Sequence, residues 1–173
     1  MFLKLYFDGQ GFLGFERKLL LETKTCMGMK SRRFFMTSSK PRILFTENHE
    51  DTRDMVVLFL EQAGYEMTTA SNVADTLKLA KSGSYNLFIL DSWLPNGSAI
   101  ELCEMLREFD EQTPILFYSA LGFEEDKNLA MKAGAQAYLV KPVEISDLRR
   151  TVNALIRLER SGLRLKVTKP VTI

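Results

Sequence analysis

What this chain of 173 residues has little of narrows its chemistry first. It carries two cysteines, one histidine and one tryptophan. Cys26 and Cys103 lie far apart and fit no metal-binding or redox spacing, so neither a disulfide scaffold nor a thiolate metal cluster is expected. So little cysteine suits a reducing, cytoplasmic setting. A single histidine, His49, cannot build a multi-histidine metal centre, and no nucleophile elbow or orienting acid completes a Ser/His/Asp triad around it. It reads as a solvated loop residue. No stretch approaches the roughly 20 apolar residues of a helical membrane span. The first residues also lack the sustained apolar core and small-residue cleavage site of a secretion signal.

An overall excess of either charge is also lacking, since the net charge is only +1, but the charges are unevenly placed. Residues 1–40 hold eight Lys/Arg against three Asp/Glu, 41–156 hold ten against eighteen, and 157–173 hold five against one. An acidic body with basic ends argues against the body gripping a phosphate backbone, and direct nucleic-acid binding is not expected. The organisation follows the same division. Residues 1–39 form a basic leader, expected to be poorly ordered or to reflect a start assigned too far upstream, with Met36 as the native start. Residues 40–160 form one domain, and 161–173 a short basic tail.

From residue 42 the pattern becomes regular. Ile43-Leu44-Phe45-Thr46 reads as a strand and is followed by the acidic stretch Glu47-Asn48-His49-Glu50-Asp51. A helix is expected over 52–63, stopped by Gly64, with Met55 and Phe59 in the core. A weaker strand covers 65–70, and Val73, Leu77 and Ala80 recur at helical spacing. The apolar run from Asn86 to Leu90 is closed by Asp91 and a Pro/Gly turn. A helix over 100–109 sets Ile100, Cys103 and Leu106 on one side. A strand over 114–118, a helix over 124–132, a strand over 137–140 and a helix over 144–160 complete the chain, the last with Leu148, Val152, Leu155 and Ile156 as its inner stripe. Five strands alternating with five helices, several strands apolar throughout, predict an α/β fold. The expected architecture is a doubly wound, five-stranded parallel sheet of flavodoxin-like order 2-1-3-4-5, covered on both faces.

Polar residues then gather at one edge of that sheet. Glu47 and Asn48 follow the first strand, Asp91 the third, Ser119 the fourth and Lys141 the fifth, each at a carboxyl end, where ligands bind in such folds. Acids, a hydroxyl and an ammonium suit a divalent cation beside a phosphoryl group, with Asp91 as the nucleophile of aspartyl-phosphate chemistry. The segments Ile43 to Arg53, Leu90-Asp91-Ser92-Trp93-Leu94-Pro95-Asn96-Gly97, Ser119-Ala120 and Ala133 to Pro142 resemble, in order, those of a response-regulator receiver domain, the phospho-acceptor module of two-component signalling. Without room for an effector module, the chain resembles a stand-alone receiver.

The resemblance implies that Asp91 takes a phosphoryl group from a histidine kinase or histidine phosphotransfer protein. Ser119 would hold that group, Lys141 would pair with it, and Tyr138 would be the switch aromatic acting with Ser119. The signal would leave through the face made by the fourth helix, fifth strand and fifth helix, with homodimerisation on phosphorylation as one outcome. Mg²⁺ is the implied cofactor, held by Glu47, Asn48, Asp91 and the backbone carbonyl of Trp93. Such a protein is a switch rather than a turnover enzyme.

Two departures from the family pattern bear on that expectation. Asn48 stands where a second acid is usual, so weaker Mg²⁺ binding and slower phosphorylation are expected. Trp93 and Leu121 stand where residues that orient the hydrolytic water are found, which points to a long-lived phosphate; Trp93 is expected to be a surface or loop aromatic packing over the site mouth. The alternative is a degenerate receiver serving as a phosphorylation-independent scaffold. A phosphatase using an aspartate nucleophile shares the α/β plan, but its usual second Asp, two residues on, is replaced by Trp93.

Overall fold

A computed structural model describes residues 40–161. The expectations for the leader over 1–39, including Met36 and Cys26, and for the tail beyond Ser161 fall outside the described residues.

The elements follow the apolar runs. Strand β1 (Arg42–Thr46) leads to α1 (Glu50–Gln62), β2 (Glu66–Ala70), α2 (Val73–Ser82), β3 (Leu87–Leu90), α3 (Ala99–Phe109), β4 (Ile115–Ser119), α4 (Glu124–Ala133), β5 (Ala137–Val140) and α5 (Ile145–Arg160). The five strands are parallel and ordered β2-β1-β3-β4-β5, as expected. β1, β3 and β4 read as continuous apolar runs because both of their faces are buried. No helix among the described residues is long and apolar enough to cross a membrane.

The alternation of side chains along each strand divides the core in two. Ile43, Phe45, Leu87, Ile89, Leu116, Tyr118, Ala137 and Leu139 face α1 and α5, meeting Val56, Leu60, Leu148, Val152, Leu155 and Ile156. Leu44, Phe88, Leu90, Ile115 and Phe117 face α2, α3 and α4, meeting Ala80, Leu102, Cys103, Leu106 and Ala130.

Some local expectations change. Helix α1 starts at Glu50, two residues early, because His49 is already extended (ψ 116°) and serves as its N-cap position. Its inner stripe is then Val56 and Leu60, an i, i+4 pair, and Met55 turns outward to 50% exposure instead of joining the core. Phe59 is partly buried against the α1/α5 layer. Beyond β3 the expected turn is a small antiparallel hairpin, Trp93–Leu94 paired with Gly97–Ser98. Pro95 and Asn96, the latter at φ 62°, occupy the central turn positions where a Pro followed by a positive φ is the type II pattern. Gly97 admits no side chain, since a Cβ there would stand 2.7 Å from Cγ2 of Val73 on α2.

One charged side chain fastens the far side of the α2/α3/α4 layer. Arg107 on α3 donates through Nε to the Gly134 carbonyl, through Nη1 to the carbonyls of Asp110 and Thr113, and through Nη2 to Gln136 Oε1. Gln136 Oε1 in turn accepts from the backbone N–H of Ile115 at the start of β4. Gly134 ends α4 at φ 112°, and an added Cβ would meet the Arg107 side chain at 3.0 Å. This planar fork is matched to several acceptors that a point-charge ammonium cannot serve together. Arg107→Lys is therefore expected to lose about 2–3 kcal/mol, since bonds from charged donors are the stronger ones. Urea unfolding, read as a lowered midpoint at constant slope, checks it.

Candidate functional site

The carboxyl ends of β1, β3, β4 and β5 converge because backbone bonds just past each strand hold the next residue in register. Asp91 N–H donates to the Thr46 carbonyl at 2.9 Å, Glu47 N–H to Ala70 at 3.0 Å, and Lys141 N–H to Ser119 at 2.7 Å. Continuing each strand's alternation by one residue puts Glu47 beyond Phe45, Asp91 beyond Ile89 and Lys141 beyond Leu139. All three therefore stand on the α1/α5 side. Ser119 follows Phe117 by two and stands on the other side, as does Tyr138.

Lys141 joins the acids. Its Nζ donates to Glu47 Oε2 at 2.6 Å and to Asp91 Oδ1 at 3.1 Å. Glu47 is 1% exposed and Asp91 5%, whereas the lysine side chain retains 20%. The remaining carboxylate oxygens are also engaged: Glu47 Oε1 accepts from His49 N–H at 2.9 Å, and Asp91 Oδ2 accepts from Trp93 N–H at 3.3 Å. Burial pushes the Asp91 carboxyl above its usual range; Lys141 opposes this and the Glu47 charge adds to it. For Lys141, burial alone works against the charged form, but the hydrogen bond to Glu47 and the charge of Asp91 outweigh it and raise the ammonium's pKa.

Ser119 and Tyr138 meet through a single peptide segment. Ser119 Oγ accepts from the N–H of Leu121 at 3.0 Å, while Tyr138 Oη donates to the Leu121 carbonyl at 2.8 Å. The Tyr138 ring stacks on Phe117 with centroids 5.8 Å apart and planes at 6°. With its oxygen accepting from Leu121, the Ser119 hydroxyl hydrogen is left to donate elsewhere.

The other sequence candidates divide. Asn48 is exposed beside Glu47, and His49 is exposed at the start of α1. Trp93 does not pack over the site mouth: it is 73% exposed, because the hairpin turns its side chain outward while only its N–H reaches Asp91. Arg53, which pattern reasoning passed over, donates to the Glu47 carbonyl at 3.2 Å. Its place at the end of the first matching segment, one helical turn into α1, is the signal that could have found it.

A hard cation fits the donor chemistry here, though narrowly. Glu47 and Asp91 offer carboxylate oxygens, Asn48 an amide oxygen and Trp93 a backbone carbonyl, all of the kind Mg²⁺ takes along with several waters. Among the described residues no three His, Cys, Asp or Glu side chains form a metal-holding group.

Comparison with known proteins leads to the same module. A family model described as the response regulator receiver domain matches residues 43–153. The chain is 36% identical over 130 residues to a probable transcriptional regulatory protein of Picosynechococcus sp., covering 71% of this chain and 52% of that protein. It is 34% identical over 116 residues to the alkaline phosphatase synthesis transcriptional regulatory protein PhoP of Bacillus subtilis, covering 67% and 48%. Among solved structures, a CheY-like response regulator receiver domain protein from Methanospirillum hungatei aligns with a TM-score of 0.69 at 25% identity, covering 71% of this chain and 98% of that one. The chain thus spans about half the length of these curated relatives, whose described activity is that of the longer proteins.

Two stability changes of opposite sign follow from the ion cluster. A carboxyl whose folded pKa is raised favours folding only while protonated. Its penalty is absent below about pH 3.9, the unfolded value, and is complete once pH exceeds the folded one. Asp91→Asn is expected to raise the melting temperature by several degrees at pH 7, with the gain vanishing toward pH 3. Lys141→Met leaves two buried carboxylates without their cation and is expected to cost stability toward the low end of about 3–5 kcal/mol, since the lysine is partly solvated. Thermal scans of both variants from pH 3 to pH 8 read the two signs directly.

Proposed function

The chain belongs to the response regulator receiver domain family, and from that premise we propose that it is a phospho-acceptor switch in a two-component phosphorelay, charged on Asp91. The observation that carries this reading is the buried Asp91 carboxylate held by Lys141 Nζ, with Glu47 on the same cation. An Asp91 oxygen attacks the phosphorus of a phosphohistidine on a kinase or phosphotransfer protein. A P–O bond forms as the P–N bond breaks, and the imidazole leaves with its electron pair and takes up a proton. Lys141 then exchanges its Asp91 oxygen for a phosphoryl oxygen, and Ser119 donates its hydroxyl hydrogen to another. Mg²⁺, when bound by Glu47, Asn48, Asp91 and the Trp93 carbonyl, supplies positive charge against the transferring group.

The output follows from what Ser119 and Tyr138 share. Drawing Ser119 toward a phosphoryl oxygen acts on the Leu121 segment that Tyr138 also holds, and so on the face of α4, β5 and α5. In this reading the receiver is a cytoplasmic switch that signals to a protein partner or a second copy of itself, not by its own contact with nucleic acid, and turns over no external substrate. Asn48 favours one second reading, a scaffold that works without phosphorylation.

Incubation with acetyl phosphate and Mg²⁺, followed by intact-mass measurement, separates the two. The expected result is a gain of one phosphoryl group, abolished in Asp91→Asn; an unchanged wild-type mass supports the scaffold. Asn48→Asp restores a third negative charge and is expected to tighten Mg²⁺ binding roughly tenfold. Titration calorimetry showing no tightening would remove position 48 from the account of the metal. Since positions 93 and 121 hold Trp and Leu, with no carboxylate or amide to orient a hydrolytic water, the phosphorylated protein is expected to persist for minutes or longer after donor removal. Decay within seconds counts against that.

A further inference from the structure

We propose that the ring of Tyr118 is a positioning element for Lys141: a π-face, built into β4, that keeps the lysine ammonium at the acid pocket while its carboxylate partners change. The role rests on the phospho-acceptor reading above.

The sheet order makes such a support necessary. Lys141 leaves the end of β5, but its acceptors lie at the ends of β3 and β1, so its side chain must cross β4. Strands are about 4.8 Å apart, and the crossing uses most of the lysine's length. The β4 residue beneath that path is Tyr118. Register pairs Tyr118 with Leu139, and Lys141 stands two residues beyond Leu139 on the same face. Lys141 Nζ lies 4.8 Å from the Tyr118 ring centroid, inside the roughly 6 Å range of a cation–π contact.

The ring is well placed to act this way. Tyr118 is 5% exposed and belongs to the core layer under α1 and α5, so it is held by packing. Neither hydrogen bond of the lysine uses its hydroxyl. An ammonium has three N–H groups. Two go to carboxylates of opposite charge, which phosphorylation and metal binding would each redirect. The ring's attraction is unaffected by those changes. An aliphatic side chain in its place would leave the ammonium over an inert surface.

The test separates ring electronics from ring size. Position 118 is occupied in turn by Tyr, Phe, Leu, and phenylalanine bearing one, two or three ring fluorines, which weaken the π-face with little change in volume. Acetyl phosphate labelling is followed by intact mass, with a melting curve for each protein. Tyr118→Phe is expected to label within twofold of wild type, and the rate is expected to fall stepwise to about fivefold slower with three fluorines. Equal rates across the fluorinated series would overturn the proposal.

A second measurement needs no phosphodonor. The Lys141 CεH₂ resonance, assigned by its loss in Lys141→Arg, is expected upfield of other lysines through the ring current in wild type and Tyr118→Phe, and back among them in Tyr118→Leu. An unshifted wild-type resonance also overturns the proposal. A shifted resonance in a protein that acetyl phosphate fails to label would overturn the phospho-acceptor reading, and with it any part for Tyr118 in phosphoryl transfer, while leaving the ring–lysine contact standing.

Discussion

One ammonium group, shared between two buried carboxylates, is the constraint around which the upper edge of this sheet is arranged. Glu47 and Asp91 have almost no solvent to screen them, and the Glu47 charge disfavours ionisation of Asp91 beside it. Lys141 makes their proximity tolerable. It does so over sequence separations of 94 and 50 residues, so it also ties the end of β5 to those of β1 and β3. The raised Asp91 carboxyl shows that the compensation is incomplete. The edge holds an acid whose charged form is less comfortable than it would be in water, a common condition of sites kept for chemistry rather than for stability.

The sheet itself separates two kinds of work. The three charged side chains extend the α1/α5 face, whereas Ser119 and Tyr138 extend the face covered by α2, α3 and α4. A single-residue difference in strand parity decides which side each joins. Ser119 and Tyr138 are joined at the loop between β4 and α4, where the backbone of Leu121 is gripped through its N–H by the serine and through its carbonyl by the tyrosine. Arg107 holds the opposite end of the same α4–β5 unit. The loop thus joins two well-fastened parts.

Much of the fold was legible in sequence because buried parallel strands announce themselves as unbroken apolar runs, and Gly64 and Gly134 punctuate the helices. What was not legible depended on register or on cap geometry. Met55 was misplaced because the start of α1 is decided by the extended backbone at His49, which no side-chain pattern records. The Trp93–Ser98 hairpin has strands too short to carry a period, and with it went the orientation of the indole. The gathering of Glu47, Asp91, Ser119 and Lys141 at one edge was readable because each follows a strand. That the lysine passes over Tyr118 was not, since it needs the pairing of β4 with β5 and the strand order together.

Gly97 gives the loop after Asp91 a constraint of another kind. Its hydrogen atom faces Val73 Cγ2, where even a methyl carbon would stand only 2.7 Å away. Val73 opens α2, and its branched side chain has little rotational freedom with which to yield. The two positions therefore form a complementary pair across which volume is conserved. In descendants of this sequence, a residue larger than glycine at 97 should be found only where 73 has become smaller. The segment that follows Asp91 is fitted to a helix that supplies none of the charged side chains gathered at the sheet edge, and the two would have to drift together.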